Sequence, residues 1–347
     1  MAFRVTLRPS GRQFEVPDGK TVLTAGLEAG LNLAYSCRAG SCTTCRGKIL
    51  EGRVDYGRSN DHCLTAEQRA QGYALLCQAA PLSDLVIGLR ELQLHMQRPK
   101  LVPCRVKKIE RAAPDVAVVS LRLPYNDNML FAAGQYVDFL LKDGRRRSYS
   151  IATAPALEGG MMDIELHIRH YDGGAFTDHV FGAMKVGEIL RFEGPLGTFY
   201  LREDSDRPIV FLAGSTGFAP IKAMVEYALR RGVARPMTLY WGCRAARDLY
   251  MDALPREWEK TAPNFRYVPV LSEPDAGWAG RTGFVHRAVM ADLPDLSGHE
   301  VYASGSPAMV EAARRDFVAS CGLPEDEFFA DSFLTEAELA QAAPVAS

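Results

Sequence analysis

The spacing of apolar residues changes character twice along this chain, after residue 95 and again after residue 204. At the start, Phe3-Arg-Val-Thr-Leu-Arg alternates with period two, Pro9-Ser-Gly turns, and Gln13-Phe-Glu-Val alternates again, which predicts a hairpin. Val22, Leu23 and Leu27 predict a short helix within Thr21–Gly30, stopped by the glycine. Strand-like Gly47-Lys-Ile-Leu-Glu-Gly-Arg-Val and Asp84-Leu-Val-Ile-Gly-Leu follow, so residues 1–95 read as two hairpins around one helix, a small β-grasp unit. His95-Met-Gln-Arg-Pro-Lys is polar and places a linker over 96–102.

Residues 103–204 read as all-β. Val116 to Leu123, Gln135 to Leu141, Arg147 to Ile151 and Met162 to Arg169 are strand patterns separated by proline or glycine. Ile164, Leu166 and Ile168 alternate with Glu165, His167 and Arg169, the mark of a half-buried strand. Several such strands predict a barrel. Over 205–335 strands alternate with helices. Ile209-Val-Phe-Leu-Ala is continuously apolar, as a strand covered on both faces must be. Ile221, Met224, Val225, Ala228 and Leu229 then form one helix face ending at Gly232. Met237-Thr-Leu-Tyr-Trp, Tyr267-Val-Pro-Val-Leu and Glu300-Val-Tyr-Ala are further strands, and Ser306-Pro307 opens a helix with a cap and a proline at its first position. Alternation of this kind predicts a parallel α/β sheet. Residues 336–347 read as a disordered tail.

At 347 residues the chain has room for two or three domains, and 47% hydrophobic with 24% charged residues lets each bury a core. A net charge of -2 gives no electrostatic case for nucleic acid or an anionic membrane. The N-terminus lacks the apolar stretch of a secretory signal, and no apolar run reaches the ~18 residues of a membrane span, so a cytoplasmic protein is expected.

Cysteine usage sharpens this picture. Five of the eight cysteines fall in the first 77 residues, and in a reducing cytosol such a cluster points to metal. Cys37, Cys42 and Cys45 have the spacing C-x4-C-x2-C, with Cys77 downstream, the plant-type [2Fe–2S] arrangement. Thiolates suit iron bridged by sulfide, and the small residues Ala39, Gly40 and Ser41 let backbone N–H groups approach the sulfurs. Structural zinc is the competing reading, but zinc sites usually pair two C-x2-C knuckles and only one is present. Cys63 competes with Cys77 as fourth ligand from a polar stretch, whereas Cys77 follows an apolar pair.

The loop Cys37–Cys45 resembles that of plant-type ferredoxins, and the rest of the chain resembles the ferredoxin–NADP reductase superfamily. The order of domains resembles three-domain reductases serving oxygenases and, more closely, those serving CDP-6-deoxy-4-hexulose-3-dehydrase. The resemblance implies a β-grasp ferredoxin, a six-stranded antiparallel flavin barrel and an α/β nucleotide domain.

Arg147-Ser-Tyr149-Ser150-Ile151 matches the family's R-x-Y-S motif. By the resemblance Arg147 binds flavin phosphate, as its guanidinium fork allows. Tyr149 then packs on the isoalloxazine and Ser150 lies near flavin N5. Tyr136, Ile151, His167, Ile168, Arg169 and, in the glycine loop, Gly174, Phe176 and Thr177 are expected around FAD, with Phe333 approaching from the terminal strand. FAD is preferred to FMN by the same analogy. Gly214-Ser215-Thr216-Gly217 resembles the family's G-G-T-G loop for NADH or NADPH, with Ser215 at its second glycine. Gly242, Cys243 and Arg244 lie where relatives hold the adenosine ribose. Arg244 and Arg247 could equally grip a 2′-phosphate or be exposed charges; the resemblance favours NADH. Gly305, Ser306 and Met309 continue a segment in which Ser304 replaces the family's cysteine beside the nicotinamide, making Ser150, Tyr149 and Ser304 the residues expected at the reacting atoms.

These features together predict a reductase that takes a hydride from NAD(P)H on flavin and passes single electrons through the cluster to a partner protein, a deoxysugar dehydrase or an oxygenase component. The alternatives are a free-flavin reductase and a redox-sensing module.

Overall fold

The computed structural model describes residues 2–333 except 41, 60, 62, 90, 93–97 and 126–128. The expected tail and the start of the linker lie outside the described residues. Two compact units emerge, one formed by the first 96 residues with the chain from Ala330 onward, the other by Gln97–Phe329.

The first unit begins with β1 (Ala2–Arg8) and β2 (Gln13–Pro17), the expected hairpin, followed by α1 (Val22–Glu28). Thr21 caps α1 by accepting from the Thr24 N–H. Next come β3 (Arg46–Glu51), β4 (Val54–Asp55), α2 (Ala66–Ala70), β5 (Tyr73–Leu75), β6 (Ala80–Pro81) and β7 (Leu85–Gly88). The sheet order is β2-β1-β7-β3-β5. Here the structure corrects the sequence reading. β7 lies parallel to β1, while β3 pairs antiparallel with both β7 and β5, so there is one sequential hairpin rather than two. The closing strand reaches the middle of the sheet because Leu85 and Ile87 are buried in the core on its inner face. Chain from the C-terminal side joins this unit: Ser36 donates to Asp331 at 2.6 Å and Thr44 to the Ala330 carbonyl at 3.2 Å.

The second unit opens with a barrel made from β8 (Lys100–Ala113), β9 (Val116–Arg122), β10 (Tyr136–Leu140), β11 (Arg146–Ser150), β12 (Asp163–Arg169) and β13 (Ile189–Leu196). α3 (Ala175–Asp178) precedes β13. The order is β11-β10-β13-β8-β9-β12, every pairing antiparallel, and an Ile151–Leu166 bridge closes the ring. Val119, Leu121, Phe139, Leu166 and Phe192 fill its interior.

The nucleotide domain contains β14 (Ile209–Gly214), α4 (Phe218–Arg231), β15 (Met237–Cys243), α5 (Ala253–Thr261), β16 (Phe265–Leu271), β17 (Arg281–Thr282), α6 (Val285–Asp292), β18 (Glu300–Gly305), α7 (Pro307–Cys321) and β19 (Phe328–Ser332). The strand order β17-β16-β15-β14-β18-β19 reverses direction of travel at β14, whose neighbours β15 and β18 are both parallel to it. Such a reversal opens a crevice at the carboxyl ends of the strands, where ligands bind. Barrel and nucleotide domain share apolar core: Phe199 and Leu201 join Phe211, Ile221, Met224 and Tyr302. Among the described residues no helix is long and apolar enough to cross a membrane.

Candidate active site

In the first unit, the residues between α1 and β3 wrap the cysteine loop. Arg38 and Gly40 both take positive φ, 55° and 72°. Cys42, Cys45 and Cys77 are buried and Cys37 is half-buried. The thiols interact in pairs. A bond with Cys37 draws Cys42 down to about 6, and the same bond, with burial, pushes Cys37 well up. A bond with Cys45 lowers Cys77, and that bond, with burial, raises Cys45. The mutual charge effects join all four sulfurs. Among the described residues no three His, Cys, Asp or Glu side chains are arranged to hold one metal ion. Two sulfur pairs, one for each iron, fit a two-iron cluster better than a single tetrahedral zinc. Gln78 Nε2 lies 3.8 Å from Cys77 Sγ, and the Ala39 N–H donates to Cys37 Sγ at 3.4 Å, contacts of the sort that tune a cluster.

In the barrel, β10 and β11 pair with Tyr136 opposite Ser150 and Val137 opposite Tyr149. Tyr136 and Ser150 are buried, while Arg147 and Tyr149 are half-buried. Tyr149 packs on Phe176 at 5.3 Å and edge-on to Phe139 at 6.1 Å, an aromatic cluster on the strand pair where Arg147 stands opposite Phe139. Phe176 is itself a core ring, stacked on Phe139 at 4.8 Å. Thr177 Oγ1 bonds the carbonyls of Tyr171 and Gly174 and fixes the glycine turn. Ile151 is fully buried and bridges to Leu166, and Ile168 is core. Phe333 is half-buried and groups with the first unit.

The polar face of β12 is not left to solvent. Its alternate residues Glu165, His167 and Arg169 all reach the nucleotide domain. Lys222 of α4 meets Glu165 at 3.3 Å, and also Glu226 at 3.2 Å and the Ala152 carbonyl at 3.2 Å. His167 Nδ1 meets the Tyr250 hydroxyl at 2.8 Å, and its Nε2 meets Glu165 at 3.0 Å. Burial works against charge on Glu165, but bonds from His167 and Lys222 outweigh it and hold its carboxyl down to about 2. Burial likewise lowers His167 and keeps it neutral, although Glu165 pulls the other way. Arg169 bonds Asp115 at 2.7 Å and Ser215 Oγ. The side chains of His167 and Arg169, expected beside FAD, are therefore occupied by this inter-domain ladder.

At the end of β14, Gly217 lies against β18: a Cβ there would sit 2.0 Å from the Ser304 carbonyl oxygen. A Cβ on Gly214 would meet Met309 Sδ at 2.6 Å. These glycines bring residues 214–217 against 304–309, closing the two halves of the expected nucleotide site. Thr216 is buried. Ser306 caps α7 by accepting from the Met309 N–H, and Gly305 takes φ 153°. Ser304 is fully buried, and its Oγ has no hydrogen-bond partner, an orphan hydroxyl that fits a site waiting for a polar ligand atom. Gly242 packs under Val285, Arg244 is exposed, and Cys243 is a buried thiol that desolvation pushes up to about 12. Sequence reasoning missed Lys222, Tyr250, Asp115 and Trp241. The only available signal was the polar alternation of β12, which cannot name a partner distant in sequence.

A cluster loop, a flavin-type barrel and a nucleotide sheet define an electron-transfer reductase. Residues 5–82 match the 2Fe-2S iron-sulfur cluster binding domain, 103–200 the oxidoreductase FAD-binding domain, and 211–315 the oxidoreductase NAD-binding domain. The chain is similar to the CDP-6-deoxy-L-threo-D-glycero-4-hexulose-3-dehydrase reductase of Yersinia pseudotuberculosis serotype I (strain IP32953), 44% identical over 337 residues, covering 96% of this chain and 99% of the relative. It is 36% identical to a terephthalate 1,2-dioxygenase reductase component of Comamonas sp over 340 residues, covering 96% and 98%. A solved Amycolatopsis cytochrome P450 reductase, GcoB, superposes with a TM-score of 0.76 at 35% identity, covering 95% of this chain and 98% of that one. The protein belongs to the family of three-domain NAD(P)H-dependent oxidoreductases that carry a [2Fe–2S] cluster and FAD.

Proposed function

We propose that this reductase takes electrons from NADH and delivers them singly, through its cluster, to a deoxysugar dehydrase. The observation carrying this reading is that four sulfurs converge in two pairs within a chain that also builds a flavin wall and a nucleotide crevice. When bound, the flavin converts a two-electron hydride donor into a source of single electrons, and the cluster carries one at a time. Arg147 would hold the flavin phosphate, Tyr149 would shield the ring face, and Ser150 would face its reacting edge. Residues 214–217 and 305–309 would hold NADH, with Ser304 beside the nicotinamide. Cys37, Cys42, Cys45 and Cys77 would hold the irons.

The dehydrase is preferred as partner because the hexulose-dehydrase reductase shares 44% identity against 36% for the dioxygenase reductase. An oxygenase component is the second reading, favoured by the GcoB superposition. The test reconstitutes the purified reductase with each type of acceptor. NADH-dependent turnover of the dehydrase, with the oxygenase component left unreduced, is expected; the opposite pattern overturns the choice of partner. A spectrum before and after anaerobic NADH should bleach both flavin and cluster bands. A colourless protein containing zinc and no iron would end the electron-transfer reading altogether.

A further inference from the structure

Ser215 is one of two described non-glycine residues with positive φ, at 52°. For a residue with a Cβ that conformation is unfavourable, and it persists only where surroundings hold it. The surroundings here are specific. The Ser215 carbonyl accepts from Trp241 Nε1 at 2.9 Å, and its hydroxyl accepts from Arg169 Nη1. Trp241 is immobilised in turn by stacking on Phe218 at 4.0 Å. Arg169 is aimed by Asp115, which bonds its Nε at 2.7 Å and its Nη2 at 2.7 Å. Asp115 sits in the turn between β8 and β9, and Arg169 ends β12. The barrel therefore reaches across and grips the first residue of the loop that runs into α4.

We infer that Arg169, aimed by Asp115, is a positioning residue for the pyridine nucleotide: it tethers Ser215 and so presets the 214–217 loop before NADH arrives. A glycine at 215 would adopt this φ freely but would offer no hook. Serine gives up that freedom and gains a bond to the strand that also carries His167 and Ile168. The loop is thereby registered to the barrel rather than only to its own sheet. Preorganisation of this kind lowers the ordering cost of binding, so its loss is read mainly in KM.

The inference rests on 214–217 being the nucleotide loop, and the experiment separates the two. Flavin reduction is followed with NADH and ferricyanide in the holoenzyme. Arg169→Gln should raise KM for NADH about tenfold, the loss of one charge-assisted bond, with kcat changed less than about twofold. Ser215→Gly should raise KM severalfold although it relieves the backbone, and Ser215→Ala should be worse because it keeps the unfavourable φ without the bond. In the Arg169→Gln/Ser215→Gly double variant KM should be no higher than in the worse single variant, since both remove one tether. Amide exchange at 214–218 without nucleotide should speed up in each. An unchanged KM in Ser215→Gly, or additive effects in the double variant, overturns the tether and leaves Arg169 as a direct ligand of nucleotide or flavin. If Arg169→Gln fails to fold, the two Ser215 variants decide alone. If NAD+ does not slow exchange at 214–218 in the unaltered protein, the loop assignment itself has failed.

Discussion

The cysteine loop and the polar face of β12 are both rows of reactive side chains at fixed spacing, yet they are held in opposite ways. The loop closes on itself. Cys37, Cys42 and Cys45 are brought together by a short turn with two positive φ values, and only Cys77 must come from afar. Glu165, His167 and Arg169 share one face of a strand and touch Lys222, Tyr250 and Ser215, residues 46 to 83 positions away. The first arrangement serves one bound group. The second joins the barrel to the nucleotide domain and ties β12 to the loop at 214–217.

Removing members of each set should separate these roles. The largest effect is expected from Cys42→Ser, which should abolish cytochrome c reduction while ferricyanide reduction, drawn from the flavin, stays within about twofold. Equal loss of both would deny the serial path through the cluster. Next comes Lys222→Met, which leaves the half-buried carboxyl of Glu165 to His167 alone among the described side chains. Breaking such a pair costs roughly 2 kcal/mol after allowing for the part-exposure of Glu165, or about 4–8 °C in the midpoint of flavin release for a unit this size. The cluster absorbance should be untouched in the same melt; joint loss would mean the two arrangements are not independent.

Acid should act on the ladder in a defined window. His167 is lowered from 6.5, so the unfolded chain takes up a proton that the folded ladder refuses, and stability falls as pH drops below about 6.5. Glu165 adds to the loss as pH falls from 4.5 toward about 2, because its folded carboxyl stays ionised over that interval. The midpoint of flavin release is expected to fall by a few degrees between about pH 7.5 and 5.5, and His167→Gln should flatten that first decline. A slope unchanged by the substitution would move the titration elsewhere. The smallest effect is expected from Cys63→Ala. Cys63 is buried, and the paired sulfurs are those of Cys37, Cys42, Cys45 and Cys77, so iron content and spectrum should stay unchanged. Loss of half the iron would return Cys63 to the ligand set.

The sequence alone determined which elements form and which residues are candidates for the chemistry. Strand bounds in the barrel fall within a residue or two of the apolar alternation at β9, β10, β11 and β12. The four proposed cluster cysteines and the glycines at 214 and 217 stand out because a loop suited to a metal, or a turn pressed on a neighbouring strand, restricts residue type locally. Tertiary structure decided what period-two patterning cannot carry. It placed β7 between β1 and β3, and it turned the polar face of β12 into a ladder between two domains. Alternation records only that one side of a strand is not apolar. Whether that side meets water or a lysine more than fifty residues away depends on how two separately patterned domains dock, and docking energy is set by shape and charge that no short window of sequence contains.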